Sequence, residues 1–306
     1  MSTDKALEGK AVVVTGAGRG IGREIALLAA AHGAGVVVND PGVSSSGDRP
    51  DAGPAQDVTD EIIRRGGKAA ASLDSVADPA GAERMIATAI RTFGRIDGVV
   101  NNAGILRDRV FHKMSHAEWT AVIDVHLNGS FNVARAASQS FKEQGSGSYV
   151  HFTSGTGLIG NFGQPNYGAA KAGIVGLSRA IAIDMEKFGV RSNCVSPFAF
   201  TRMIDTMKAT TDAEAKRIER LKTMGAEKIA PLVVFLLGDS AREVTGQIFC
   251  VRQNEIFLMS QPRPLRSVHR SEGWEPSTLA THMLPAFRSA LYKLERSADV
   301  FPWDPI

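Results

Sequence analysis

The chain lacks the features that mark several classes of protein. Only two of its 306 residues are cysteines, Cys194 and Cys250, and so few thiols favour a reducing compartment over a disulfide scaffold. Its formal net charge is +3, with acidic and basic residues interspersed, which indicates no nucleic-acid surface. No apolar run reaches the roughly 20 residues of a membrane span, and no signal peptide precedes Leu7. These absences predict a soluble, cytoplasmic protein that binds neither nucleic acid nor membrane, and we expect no metal site.

A Ser- or Pro-rich linker is also missing, although 306 residues could form one large domain or two smaller ones. Short apolar strands alternate instead with helical patterns. The predicted strands are 11–15, 35–39, 68–73, 97–101, 148–153, 190–195 and 247–252. The predicted helices are 21–32, 56–65, 79–93, 116–143, 166–188, 202–223 and 227–237. Right-handed crossovers then predict a Rossmann-type, doubly wound parallel α/β sheet in one domain, with ligands outside the carboxyl ends of its strands.

A glycine-rich turn follows the first predicted strand. Gly16, Gly20 and Gly22 are spaced G-x-x-x-G-x-G, so the strict G-x-G-x-x-G fingerprint does not fit in register. A strand, a glycine turn and a helix N-terminus still bring backbone N–H groups together at one spot, where they attract phosphate. A flexible loop is the alternative interpretation.

The second predicted strand is followed by Asp40, about 20 residues beyond the glycine turn. A carboxylate there can accept hydrogen bonds from ribose hydroxyls and repels a 2′-phosphate, which favours NAD over NADP. Arg19, inside the turn, can pair with that phosphate and would favour NADP, or it can be a solvated surface arginine. We give Asp40 more weight and predict NAD.

Tyr167 and Lys171 lie four residues apart, with Ser154 upstream. Residues at this spacing share a helix face, so the ammonium can lie beneath the phenol. A phenol has a pKa of about 10, and a nearby cation together with an oxidised nicotinamide favours its phenolate. Tyr167 is then a usable general base, while Ser154 holds the substrate oxygen and a hydride leaves the carbon. Taken alone, such a pair is more commonly an ordinary surface pair.

In this order and spacing, Thr15-Gly-x-x-x-Gly-x-Gly22, Asn101-Asn-Ala-Gly104, Ser154 and Tyr167-x-x-x-Lys171 resemble the short-chain dehydrogenase/reductase family over roughly residues 8–253. Segments such as Val38-Asn-Asp40 and Gly160-Asn-Phe-Gly-Gln164 are similar to the (3R)-hydroxyacyl-CoA dehydrogenase branch, found in peroxisomal multifunctional enzyme type 2 and bacterial relatives. The resemblance implies NAD-dependent oxidation of a secondary alcohol, on a hydroxyacyl-CoA or a steroid-related substrate. It also implies a homodimer or homotetramer, paired through the helices at 116–143 and 166–188.

The resemblance implies roles for particular residues. Ser154, Tyr167 and Lys171 match the catalytic residues, and His126 stands where the family usually has asparagine. Either the His126 carbonyl holds a relay water, or the histidine is merely packed. Phe198 replaces a usual glycine after Pro197. The implied cofactor-binding residues are Thr15, Gly16, Gly18, Arg19, Gly20, Ile21, Gly22, Asp40, Asp74, Ser75, Asn101, Asn102, Ala103, Gly104, Tyr167, Lys171, Pro197 and Phe198.

Two segments are unusual. Residues 41–55 form a polar, turn-rich loop, either functional or a solvated insertion. Residues 255–306 extend beyond the dehydrogenase domain predicted at 1–254 and carry helical patterns at 277–283 and 285–297. Exposed aromatics would be costly, so this extension should dock on the domain or on a partner subunit. Packing is favoured over lining the substrate pocket.

Substrate evidence in the sequence is thinner. Methionines suit an adaptable apolar wall, although ordinary packing explains them nearly as well; they are Met203, Met207 and Met224. A basic cluster could meet CoA phosphates or could be solvated surface; it comprises Arg263, Arg266, His269 and Arg270. Two alternatives to a hydroxyacyl-CoA dehydrogenase stay open: a hydroxysteroid dehydrogenase acting on a free ring alcohol, and a catalytically silent NAD-binding protein.

Overall fold

The strands of the chain form one sheet in a computed structural model that describes residues 5–42, 53–199 and 224–305. The strands are β1 (Ala11–Thr15), β2 (Gly35–Asn39), β3 (Lys68–Ser72), β4 (Gly98–Asn101), β5 (Gly147–Phe152), β6 (Val190–Phe198), β7 (Ile248–Arg252) and β8 (Glu255–Leu258). Their order is β3-β2-β1-β4-β5-β6-β7-β8. The first seven run parallel and β8 pairs antiparallel with β7. The predicted doubly wound Rossmann-type sheet is confirmed.

Helices cover both faces of this sheet. Those before the C-terminal segment are α1 (Gly20–Ala31), α2 (Gly53–Arg64), α3 (Pro79–Phe93), α4 (His116–Ile123), α5 (Gly129–Gln144), α6 (Gly155–Leu158), α7 (Pro165–Met185) and α8 (Ala230–Leu237). The C-terminal segment adds short pieces, α9 (Pro276–Thr278), α10 (Leu284–Phe287) and α11 (Ser297–Val300). In the described part of the chain, no helix is long and apolar enough to cross a membrane.

The alternation of side chains along β1 explains why both faces are apolar. Val12 and Val14 pack on one face with residues of α1, α2 and α8, whereas Val13 packs on the other with α3 and α5. The sequence of a parallel strand that is covered on both sides is therefore an unbroken run of apolar residues. The sheet fixes the ends of its strands, and those ends carry the polar residues considered below.

Several element boundaries differ from those predicted. The helix predicted at 116–143 is interrupted by a π-helical segment, Asp124–Asn128, between α4 and α5. The helix predicted at 285–297 ends at Phe287, followed by a single 3-10 turn. The helix predicted at 202–223 lies outside the described residues, as does most of the loop at 41–55.

The C-terminal extension begins within the sheet. β8 pairs with β7 through Arg252 and Glu255, which also form an ion pair at 3.3 Å. Sequence analysis found no strand here because the segment is short and half-exposed, with alternating burial. The sheet thus has an antiparallel edge strand beyond the predicted seven.

Candidate active site

The glycine turn connects β1 to α1 with little space between its parts. Gly16 and Gly20 have φ values of +62° and +54°, in the left-handed region that favours glycine. A Cβ on Gly22 would lie 2.2 Å from the Gly16 carbonyl oxygen. The N-cap residue of α1 is Arg19. A Ser, Thr, Asp or Asn at this position would accept hydrogen bonds from the free N–H groups of the helix, but Arg19 does not. Close packing and an available helix N-terminus suit the diphosphate of a dinucleotide.

Thr15 ties this turn to the end of β4. Its hydroxyl donates to the Val100 carbonyl at 3.2 Å and accepts from the amides of Asn102 and Ala103 at 3.0 and 3.1 Å. The Asn102 side chain donates back to the carbonyls of Thr15 and Gly16 at 3.0 and 3.1 Å. These hydrogen bonds join the ends of β1 and β4 and give the side chain of Asn102 a structural role.

Asp40 lies beside the glycine turn. Its carboxylate accepts from the amide of Gly18 at 3.0 Å and from the amide of Gly42 at 2.8 Å. A Cβ on Gly18 would lie 2.8 Å from this carboxylate and 2.7 Å from Pro54. The carboxylate is thus fixed where adenosine ribose hydroxyls would meet it in a dinucleotide site.

A pocket of about 480 Å³ opens between the turn and α2. Its lining residues are Gly18, Arg19, Gly20, Arg23, Gly53, Pro54, Asp57, Val58 and Glu61. Arg23 pairs with Glu61 at 2.6 Å across one wall. The lining thus carries two basic and two acidic side chains, and Asp40 lies beside it.

The loop after β3 is held in place by its own polar side chains. Asp74 accepts from Arg84 at 2.7 Å, and its carbonyl accepts from the side chain of Asn39 at 2.9 Å. The Ser75 hydroxyl accepts from the amide of Ala77 at 3.2 Å. Asp74 and Ser75 therefore lie next to the end of β2, one residue before Asp40.

Ser154 and Tyr167 meet at the end of β5. Ser154 is the N-cap of α6 and accepts from the amide of Thr156 at 3.2 Å. Burial raises the pKa of the Tyr167 phenol above its usual value, a hydrogen bond with Ser154 lowers it, and the charge of Asp108 raises it again. Burial thus favours the neutral phenol, and the predicted effect of Lys171 together with an oxidised nicotinamide stays a prediction.

Lys171 lies one helical turn beyond Tyr167, as the spacing predicts. Its ammonium is 5.6 Å from the centroid of the tyrosine ring and donates to the Phe152 carbonyl at 2.6 Å. The residue is 4 % exposed, and burial lowers the pKa of Lys171 to about 7. Thr153 fixes the helix at this level, because its hydroxyl donates to the Lys171 carbonyl at 2.7 Å.

His126 lies in the π-helical segment, with its ring edge-on to Tyr167 at 5.2 Å between centroids. Its Nε2 is 2.8 Å from the Ile105 carbonyl oxygen, and burial lowers the pKa of His126 to about 3. Its own carbonyl accepts from the Ser130 hydroxyl at 2.6 Å. The ring is thus neutral near pH 7 and packs against the phenol, and no acid–base role for it follows.

A buried polar cluster surrounds Lys171 that sequence analysis missed. The amide nitrogen of Asn101 donates to the Ser130 carbonyl at 3.2 Å and lies 3.1 Å from Nδ1 of His151. Nδ1 therefore accepts, which places the ring proton of His151 on Nε2. Within the described ranges, three atoms of the cluster have no hydrogen-bond partner: Asn101 Oδ1, His126 Nδ1 and His151 Nε2. The side chain of Asn101 thus faces this cluster, and its predicted place in the segment that lines the cofactor stays a prediction.

Asn166 was also missed. Its side-chain amide donates to the carbonyls of Arg107 and Glu118 at 2.9 and 3.0 Å, and its oxygen accepts from the amide of Tyr167 at 2.8 Å. Asn166 is fully buried and anchors the start of α7 to the loop after β4. The one sequence signal for a role of Asn166 was its position directly before Tyr167.

The C-terminal segment returns to the end of β5. Ser297 donates through its amide and its hydroxyl to the Gly160 carbonyl, at 3.1 and 3.2 Å. A Cβ on Gly155 would lie 2.7 Å from the Ser297 hydroxyl. Phe301 packs edge-on against Phe198 at 5.1 Å, so the residue that replaces the family's usual glycine contacts the extension.

The extension is held further by the edge of the sheet. Phe301 contacts Phe257 and Trp303 at 5.3 and 5.5 Å between centroids. The indole of Trp303 donates to Glu255 at 2.8 Å, and its carbonyl accepts from Arg252. Residues 297–303 are thus docked on this same chain.

The arginines of the basic cluster interact with nearby residues of the extension. Arg263 and Arg266 donate to carbonyls of the extension, those of Pro262 and Ala286, and Arg270 pairs with Glu272 at 3.3 Å. Met224 is buried, and Met203 and Met207 lie outside the described residues. The proposed contact of this cluster with CoA phosphates stays a prediction.

Known proteins resemble this chain over most of its length. The sequence profile of a family described as enoyl-(acyl carrier protein) reductase matches residues 16–253. Rv0148 of Mycobacterium tuberculosis, a short-chain type dehydrogenase/reductase, is 46% identical over 230 residues, 75% of this chain and 78% of that protein. The hydroxyacyl-CoA dehydrogenase ChsB1 of the same organism is 39% identical over 295 residues, 92% of this chain and 89% of ChsB1.

A longer relative and a solved structure extend the comparison. The peroxisomal multifunctional enzyme type 2 of Mus musculus is 42% identical over 278 residues, which is 91% of this chain but only 36% of that enzyme. A crystal structure of a short chain dehydrogenase from Mycobacterium avium superposes with a TM-score of 0.81 at 38% identity, covering 94% of this chain and 97% of that one.

Proposed function

The chain belongs to the short-chain dehydrogenase/reductase family, and from that premise we propose that it is an NAD-dependent dehydrogenase oxidising a (3R)-3-hydroxyacyl-CoA to the ketone. Oxidoreductase chemistry with a nicotinamide cofactor is typical of the family. NAD, the acyl-CoA and the residue roles are the proposal. The observation that carries it is the placement of Ser154, Tyr167 and Lys171 at the end of β5 and the start of α7.

The proposed chemistry divides among these three side chains. Ser154 would hold the substrate hydroxyl, since it already forms a hydrogen bond that acts on Tyr167. Tyr167 would take the hydroxyl proton as general base. The chemistry supplied by the bound nicotinamide is acceptance of the hydride from the same carbon. Because burial disfavours the phenolate, the ammonium of Lys171 at 5.6 Å from the ring centroid must help to stabilise it.

Asp40 supports NAD in this proposal. Its carboxylate is fixed by two backbone amides beside the glycine turn, and the pocket there carries further acidic side chains. The Asp40 carboxylate would repel a 2′-phosphate, whereas a ribose hydroxyl would find an acceptor there. Arg19 lines the same pocket and is the group that would work against this preference.

The substrate class is supported by relatives whose names state an activity on hydroxyacyl-CoA. ChsB1 matches along almost its whole length, and the match includes the extension that the family profile leaves out. The apolar contact between Phe198 and Phe301 adds an aromatic wall near the catalytic end of β6. We further propose a homodimer or homotetramer with two-fold symmetry, formed through α5 and α7.

A Tyr167→Phe variant tests the proposed roles. It keeps the ring and its packing on His126 but removes the proton acceptor, so turnover should fall by roughly 10²–10⁴-fold with NAD affinity unchanged. Tyr149→Phe is the matched control, because that hydroxyl donates to a carbonyl of α5 in the core. Near-normal turnover by Tyr167→Phe would refute the assignment.

A further inference from the structure

Two loops lie beside Tyr167 and are joined to each other by hydrogen bonds. One follows β4, at residues 105–113, and the other leads into α7, at residues 159–164. The amide of Arg109 donates to the Gly163 carbonyl at 2.8 Å, and Gln164 donates to Asp108 at 2.9 Å. Asp108 lies close enough to Tyr167 to raise the pKa of its phenol. The joined loops therefore form a rim of the candidate active site.

Each loop presents one phenyl ring to solvent. Phe111 is 81 % exposed and Phe162 is 77 % exposed, among the largest exposures of any aromatic side chain in the described ranges. Their backbones are ordered by hydrogen bonds, because the Phe111 carbonyl accepts from Met114 at 3.2 Å and the Phe162 amide donates to the Asn161 side chain at 3.0 Å. Large rings exposed on a fixed rim beside a catalytic site indicate a ligand surface.

The charge of the rim favours an anion. Residues 105–113 carry Arg107, Arg109 and Lys113 against Asp108. Arg109 pairs with Glu118 at 3.1 Å and Asp108 is bonded to Gln164, so the net charge of this loop and its partner is +1. Residues 159–164 carry no charge at all. Flat apolar rings beside a net positive charge fit a ligand that combines a base with phosphates.

We propose that Phe111 and Phe162, with Lys113, bind the adenine nucleotide end of the acyl-CoA, outside the pocket where the hydroxyl reacts. This inference rests on the proposed function, since it takes the substrate to be a CoA thioester. The pantetheine arm separates the thioester from the nucleotide, so the nucleotide contacts the rim and not the catalytic residues. The proposal does not involve the basic cluster at 263–270, whose arginines have partners within the extension.

The experiment compares a hydroxyacyl-CoA with the same acyl group on N-acetylcysteamine, which lacks the nucleotide. Phe111→Ala and Phe162→Ala should each raise KM for the CoA ester by roughly tenfold, the loss expected for one base–aromatic stack, with kcat unchanged. KM for the truncated thioester should not change. Lys113→Gln should have a smaller effect that disappears at high salt.

Phe235→Ala is the matched control, because Phe235 is 42 % exposed on α8. It should leave both KM values unchanged. Equal increases in KM for the two thioesters in the rim variants would overturn the proposal, because the rings would then contact the acyl part. A change in oligomeric state on light scattering, without a CoA-specific change in KM, would also overturn it and would assign the rings to a second copy of the chain.

Direct binding separates this inference from the proposed function. Calorimetry with 3′-phosphoadenosine 5′-diphosphate, with the enzyme saturated by NAD, should show binding that the rim variants lose. If that binding is present and lost as expected but no CoA ester is oxidised, the proposed substrate fails and the nucleotide site stands. If CoA esters are oxidised normally by the rim variants, the nucleotide site fails and the proposed function stands.

Discussion

The candidate site has two parts, a proposed cofactor half around the glycine turn and a proposed substrate half around Ser154. Different kinds of contact build these two halves. Around the glycine turn, side chains at the ends of neighbouring strands form hydrogen bonds with each other's backbone, as between Thr15 and Asn102. Around Ser154, the contacts come from the far end of the chain, as between Gly160 and Ser297, which are 137 residues apart. The first half therefore depends on short motifs, and the second depends on how the extension docks.

The largest expected effect is in the cofactor half. Gly22→Ala places a Cβ 2.2 Å from the Gly16 carbonyl, which is backbone and cannot move aside. We expect NAD binding to be lost or weakened by at least about 100-fold, and stability to fall by about 1–3 kcal/mol. Gly176→Ala is the control, since its Cβ would meet nothing within 4 Å in α7. Calorimetric titration with NAD would contradict the account if both variants bound normally.

Asp40→Ala should have the next largest effect. It removes the fixed carboxylate that we assign to ribose hydroxyls, so NAD affinity should fall by roughly 10- to 100-fold, the value of one or two charge-assisted hydrogen bonds. NADP should improve relative to NAD, because the repulsion is also removed. Steady-state kinetics with both cofactors measures the ratio, and an unchanged preference would assign selectivity to Arg19.

How far each half could be predicted follows from this difference. The sequence was enough to predict the glycine turn, Asp40 at a strand end and the shared helix face of Tyr167 and Lys171. Each of these depends on residues that are close in sequence or that lie at strand ends. His151, Asn166 and β8 were not, because a buried histidine, a helix-start asparagine and a short edge strand acquire meaning only from distant partners. The π-helical segment at His126 could not be predicted either, because its residues suit an ordinary α-helix.

A change in the extension should affect the substrate half alone. Phe301→Ala removes a ring that packs on Phe198, Phe257 and Trp303. Because Phe301 is only partly buried, we expect stability to fall by about 1–2 kcal/mol, less than for a core phenylalanine. KM for the substrate should rise several-fold with NAD affinity unchanged. An equal loss of NAD affinity would show that the two halves are not separate.

A further prediction concerns stability in mild acid. Burial, with the charge of Lys171 adding to it, lowers the pKa of His126 to about 3 and that of His151 to about 4. Between those values and the unfolded pKa of about 6.5, the unfolded chain binds more protons, so stability falls as pH falls. Urea unfolding should show a loss of about 2 kcal/mol for each histidine between pH 7 and pH 5.

His151→Asn provides the comparison for that measurement. Asparagine keeps a polar group in the buried cluster but does not titrate, so the pH-dependent loss should shrink by about half. An unchanged slope in this variant would mean that His151 is not held neutral by burial.

Turnover of the wild-type enzyme tests the central claim most directly. A panel of (3R)- and (3S)-3-hydroxyacyl-CoAs and free hydroxysteroids, each assayed with NAD and with NADP, should give NADH from the (3R)-hydroxyacyl-CoAs with the highest kcat/KM. Oxidation of free steroids but of no CoA ester, a preference for NADP, or no turnover of any alcohol would contradict it.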